Sequence, residues 1–102
     1  MERHVVVIGH LRFPPEVVEA VAPDLKIFVD ATRQHDNCIS YNVAEDLFDP
    51  GLIRFSEVWP DFESLNAHLN SPHILPWRKA SSQVGLLERV FFAYTTEACC
   101  SV

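Results

Sequence analysis

The stretch Leu52 to Trp59, LIRFSEVW, restricts what this chain can fold into more than any other. Strand side chains alternate between two faces, so Ile53, Phe55, Glu57 and Trp59 share one side and Arg54, Ser56 and Val58 the other. The segment CISYNVAEDL before it alternates in the same way, with Ile39, Tyr41 and Val43 opposed to Ser40, Asn42 and Ala44. Between them lies FDPG, a turn by composition. An antiparallel hairpin with a four-residue connection is expected at the centre of the sequence. A lone hairpin is marginal in water, so the flanking segments must extend and cover it.

Those segments supply two more strands and four helical pieces. HVVVIGHLRF, His4 to Phe13, is β-branched and stops at Pro14-Pro15; its apolar side is Val5, Val7, Leu11 and Phe13. VGLLERVFFAYTT reads as a long closing strand. Glu16 to Ala22 predicts a short helical turn, and Pro23-Asp24 restarts the chain. Leu25, Phe28, Val29 and Thr32 then follow at i, i+3, i+4 and i+7, an amphipathic helix ending near His35. After the hairpin, Asp61 can cap a helix whose apolar stripe is Phe62, Leu65 and Leu69. Ser71-Pro72 stops it and starts another, with Ser71 as N-cap, Pro72 first in the helix, and Ile74, Trp77, Arg78 and Ser81 along the inner edge.

The resulting order, βαββαβ with a broken second helical region, is the ferredoxin-like α+β arrangement: a four-stranded antiparallel sheet with helices on one face. Both strand faces are rich in large apolar groups. The uncovered face therefore needs burial elsewhere, and sheet-to-sheet homodimerisation is the simplest solution.

The 102 residues fit a single domain, expected over residues 1–98 with a tail at 99–102. An apolar content of 48% with seven phenylalanines excludes a disordered chain. Eight basic against fourteen acidic residues give a net charge of −6, without the positive field that nucleic acid or an anionic membrane would require. The early apolar run Val5 to Ile8 is too short for a signal-peptide core or a membrane span, so the cytoplasm is the expected compartment. Cys38, Cys99 and Cys100 show no CxxC or Cys/His spacing and are expected to be reduced bystanders.

The chemistry centres on NAHLNSPHILPW, Asn66 to Trp77. His68 and His73 would lie about 140° apart on one continuous helix, whereas zinc pairs favour i, i+4. No Asp, Glu or Cys stands at a spacing that completes a set, so no metal is expected. His68 falls about 60° from Leu65, at the border of the buried stripe. His73 would occupy the second helical position, where unpaired N–H groups disfavour an imidazolium. A neutral imidazole can accept a proton, which makes each a candidate base; the alternative is a boundary histidine satisfied by one hydrogen bond. Asn66 falls near the centre of the stripe and either lines a pocket or reaches the sheet edge. Glu57 on an apolar strand face is costly unless paired, and the expected partner is Arg54, Arg78 or Arg89, within the chain or across a dimer. There is no Gly-x-Ser-x-Gly elbow, no phosphate-cradling loop and no nicotinamide, flavin or nucleotide fingerprint.

From Asp49-Pro50 through FSEVWPDFESLNAHLNSPH, the order of turn, Glu-x-Trp strand, acidic-capped helix with SLNAH, and NSPH is specific. It resembles the antibiotic biosynthesis monooxygenase domain, a group that includes small quinol monooxygenases. DNCISYNV agrees, standing where relatives often show Gly-Cys-x-x-Tyr, with Asn37 in the glycine's place. The resemblance implies a dimeric α+β barrel that oxidises electron-rich polycyclic phenols or quinols with dioxygen, using neither metal nor flavin. Its partners would be a second copy of the chain, a small aromatic substrate and dioxygen. A base would remove a phenolic proton and the anion would reduce oxygen, the protein adding donors for the oxyanion and a dry pocket. On this resemblance His68 is the preferred base or substrate-orienting group, with His73 and Asn66 as hydrogen-bonding partners. Tyr41, Phe55, Trp59, Trp77 and Phe92 are pocket walls, or else core aromatics. Haem degradation, found elsewhere in the family, is disfavoured because Arg78 stands at the position of the ligating histidine. Two alternatives share the scaffold: a non-catalytic ligand-binding module, and an isomerase-like enzyme on a small metabolite. Enzyme and module separate on whether His68, with Asn66, His73 or Tyr41, faces one apolar pocket between helices and sheet.

Overall fold

The computed structural model describes residues 3–102; positions 1 and 2 of the expected domain lie outside them. The elements run β1 (Val5–Arg12), a 3-10 turn (Pro15–Val17), α1 (Val18–His35), β2 (Ser40–Glu45), β3 (Leu52–Trp59), α2 (Phe62–Leu69), α3 (Ile74–Gln83) and β4 (Glu88–Thr95). The sheet order is β2-β3-β1-β4, with every neighbouring pair antiparallel. This is the ferredoxin-like α+β fold anticipated from the element order.

Register follows from matching apolar sides. Val5, Val7 and Leu11 stand opposite Trp59, Glu57 and Ile53, and all six are buried. At the inner position between them, Gly9 lies beside Phe91, and any Cβ there would collide with the Phe91 ring. The central hairpin forms, but its connection is longer than FDPG. β2 ends at Glu45 and residues 46–51 turn the chain, the Asp46 carboxylate accepting from the Phe48 N–H at 2.8 Å. Gly51 adopts φ +92°, and a side chain there would strike the Phe13 carbonyl.

Two helical expectations change. α1 runs unbroken through Pro23 instead of restarting there. A proline inside a helix costs about 3 kcal/mol. Burial of Val21, Phe28 and Val29, at roughly 1.5–3 kcal/mol each, outweighs it. In α2 the Asp61 cap forms as expected, accepting from the Ser64 N–H at 2.7 Å, but the buried side is Leu65 and His68. Phe62 and Leu69 are 52% and 37% exposed, and Asn66, expected within the stripe, faces solvent. With two turns and three large apolar residues, the periodicity left the rotation of α2 loosely determined; His68 sets it through contacts to other elements. α3 starts later than expected: Ile74 is its first residue, and His73 sits at the N-cap rather than inside the helix.

The other sheet face is uncovered, with Ile8, Phe92 and Tyr94 more than half exposed. No helix among the described residues is long and apolar enough to cross a membrane. Cys38, Cys99 and Cys100 are free thiols.

Candidate active site

Helix cover thins toward β4, whose inner positions Arg89 and Ala93 are exposed. There a cavity of about 540 Å³ opens between α2, α3 and the sheet. Phe28, Phe55, Trp77 and Phe91 form apolar walls, and Tyr41, Glu57, His68, Arg78 and Arg89 bring polar groups to it.

His68 is 2% exposed, its ring packed on Trp59 with centroids 4.8 Å apart and flanked by Tyr41 and Phe28. Its Nδ1 lies 2.7 Å from Oδ2 of Asp36. The same oxygen lies 2.8 Å from Nε2 of His73. Asp36 is the residue at which α1 gives way to extended backbone, its N–H still bonded to the Thr32 carbonyl. Arg33 clamps that end of α1 to β2, donating to the Tyr41 carbonyl from two nitrogens at 2.9 and 2.8 Å. Because a carboxylate only accepts, Nδ1 of His68 carries the proton and Nε2, which has no hydrogen bond among the described residues, is the acceptor in the neutral ring. Burial lowers the His68 pKa, with Asp36 opposing that shift.

Glu57 is 3% exposed and accepts from the Trp59 indole N–H at 2.9 Å. Burial raises its carboxyl to about 7, against the Trp59 hydrogen bond and the charge of Arg89. Within the chain, no arginine forms an ion pair with Glu57 among the described residues. Arg54 extends to Asp46 on the far side of β3, and the Arg89 guanidinium lies over the Phe91 ring, 4.6 Å from its centroid. Burial also pushes the Tyr41 hydroxyl well above its ordinary pKa.

Of the expected walls, Tyr41, Phe55 and Trp77 line the cavity. Trp59 does not; it is fully buried beneath His68 because β3 turns it into the core. Phe92 touches the lining, but its register opposite Ile8 places it on the uncovered face, 61% exposed. Asn66 is solvent-facing, and His73 meets Asp36 without lining the cavity.

Sequence spacing missed three features. Asp36 stands 32 residues before His68, yet it supplies the third donor that local spacing lacked: its oxygen and the two histidine nitrogens lie within 4.8 Å of one another. Glu57 belongs to the cavity as a titratable group, and Arg78 and Arg89 share its lining. The available signal for Asp36 was its place between an amphipathic helix and the strand bearing Tyr41.

Residues 4–80 match the family model for antibiotic biosynthesis monooxygenases. The chain belongs to this family. A Deinococcus radiodurans structure, provisionally designated an antibiotic biosynthesis monooxygenase, aligns with TM-score 0.88 at 26% identity, covering 96% of this chain and 97% of its own. A Mycobacterium tuberculosis structure aligns with TM-score 0.72 at 29% identity, covering 96% and 97%. An uncharacterized Synechocystis protein is 29% identical over 69 residues, which are 68% of this family member and 47% of that relative; the match thus spans about half the relative's length.

Proposed function

We propose that the chain is a monooxygenase that oxidises a quinol- or polyphenol-like substrate with dioxygen, without a redox cofactor, as a homodimer. One observation carries this reading: buried His68, on the wall of an apolar cavity, has Nδ1 held by Asp36 and Nε2 available as an acceptor. Nε2 takes the phenolic proton, and Arg78 and Arg89 favour the anion. The phenolate transfers an electron to dioxygen, and the two radicals combine as a hydroperoxide. Loss of water then leaves a quinone, so the substrate sheds two hydrogens, one oxygen atom enters it and the other leaves as water. Glu57, with its carboxyl near 7, can protonate the departing oxygen. The apolar walls limit water around the anion. A second chain packed on the uncovered sheet face would bury Ile8, Phe92 and Tyr94.

The test is oxygen uptake by chelator-treated protein with a panel of quinols and naphthols. His68→Gln is expected to reduce uptake by at least about a hundredfold. Uptake unchanged by that substitution removes His68 from the mechanism. Sedimentation should give twice the chain mass of 11.6 kDa; the single-chain mass would sink the dimer.

A further inference from the structure

We propose that Asp36, His68 and His73 form a binding site for a divalent transition metal ion of the zinc and cobalt class. The three residues come from separate segments: the end of α1, the last turn of α2 and the residue before α3. Their donor atoms Oδ2, Nδ1 and Nε2 nevertheless converge within 4.8 Å. Two imidazoles and one carboxylate suit such ions and leave a coordination position for water. With metal–ligand bonds of about 2.0–2.2 Å, donors around a tetrahedral ion sit about 3.3 Å apart. The Asp36 contacts of 2.7 and 2.8 Å therefore need to open slightly, while the wider donor separation, within 4.8 Å, closes toward the same spacing. Asp36 lies just past a helix end with its side chain 12% exposed, so a small rotation can supply that.

The site opens away from the apolar cavity. Asp36 and His68 also line a separate polar cleft with Asn37, Asp61 and Glu63, whose carboxylates favour a cation. The His68 ring is thus a partition between cleft and cavity. Without the ion, Nδ1–H donates to Asp36 and Nε2 accepts. With an ion on Nδ1, the neutral ring must carry its proton on Nε2. The ion therefore converts Nε2 from an acceptor to a donor. Resting on the assignment of His68 as the base, the metal acts as an inhibitor that works through the tautomer rather than by filling the substrate space.

The experiment titrates tag-free, chelator-treated protein with Co²⁺, followed by visible absorption, and then displaces it with Zn²⁺. Saturation at one Co²⁺ per chain is expected. Asp36→Asn and His73→Gln should each weaken binding at least about tenfold. Thermal melts verify that both variants fold. His10→Gln, which alters a histidine–carboxylate pair on the uncovered face, should leave binding unchanged. Nitrogen-15 spectra should show Nε2 of His68 unprotonated without metal and protonated with Zn²⁺. Absence of saturable Co²⁺ absorption at millimolar ion, or binding indifferent to both variants, overturns the site. An unprotonated Nε2 in the Zn²⁺ form, or oxygen uptake unaffected by saturating Zn²⁺, overturns the switch. Binding needs no turnover, so a protein that holds Co²⁺ at these residues but consumes no oxygen keeps the site and loses the monooxygenase reading.

Discussion

His68 and Glu57 share one cavity, are almost free of solvent, and are satisfied in opposite ways. Behind His68 stands a carboxylate brought from the end of α1, which also engages His73. Glu57 has, among the described residues, only an indole N–H from two residues along its own strand. A partner from a distant segment fixes ring orientation and tautomer, because it is anchored at the end of α1, independently of the helix that carries the ring. A partner on the same strand holds one oxygen but compensates little of the cost of burying charge, so the carboxyl is driven toward its neutral form. The cavity thus holds an oriented acceptor beside an acid that titrates near 7.

The largest break in that contrast comes from Asp36→Ala. It strips the acceptor from two imidazoles, one of them 2% exposed on its side chain. An unsatisfied buried donor costs about 1–3 kcal/mol, so urea denaturation at fixed protein concentration should show a loss of about 2–4 kcal/mol. Asp36→Asn keeps an oxygen that both rings can donate to, and its loss should stay below about 1 kcal/mol. Equal losses in the two variants would mean that the negative charge, not the acceptor, holds the rings.

The same contrast explains what could be read from the sequence. Strand faces were legible because period-two alternation is rigid: Ile53, Phe55, Glu57 and Trp59 share a buried face as their spacing requires. The Asp61 cap and three of the four expected inner-edge residues of α3, Ile74, Trp77 and Ser81, were legible because both are local; the fourth, Arg78, is exposed and reaches the cavity lining. The rotation of α2 was not, since its buried side is chosen by Asp36 and Trp59, residues of other elements. That displaced Asn66 from the expected site. Glu57 was recognised as anomalous from its apolar neighbours, but an arginine was expected to answer it. Sequence shows that a buried charge needs compensation; only the fold shows that an indole is what it has.

Glu57→Gln gives the smaller and sharper test, because its effect must depend on pH. In the unfolded chain the carboxyl titrates near 4.5, and in the fold at about 7. Below 4.5 it is neutral in both states and contributes no pH dependence. As pH rises from 4.5 toward 7, the unfolded chain ionises while the buried group resists, so the fold loses stability by up to about 1.4 kcal/mol per pH unit. Above 7 both states are ionised and the penalty stays constant, at up to roughly 3 kcal/mol in all. Glutamine still accepts from the Trp59 indole but cannot ionise. The variant should therefore match the parent protein near pH 4 and exceed it by up to roughly 3 kcal/mol at pH 8, read from urea midpoints at each pH. A gain of the same size at both pH values would mean that packing, not charge, distinguishes the two side chains. No gain at pH 8 would mean that Arg89, which shares the cavity lining, already compensates the carboxylate.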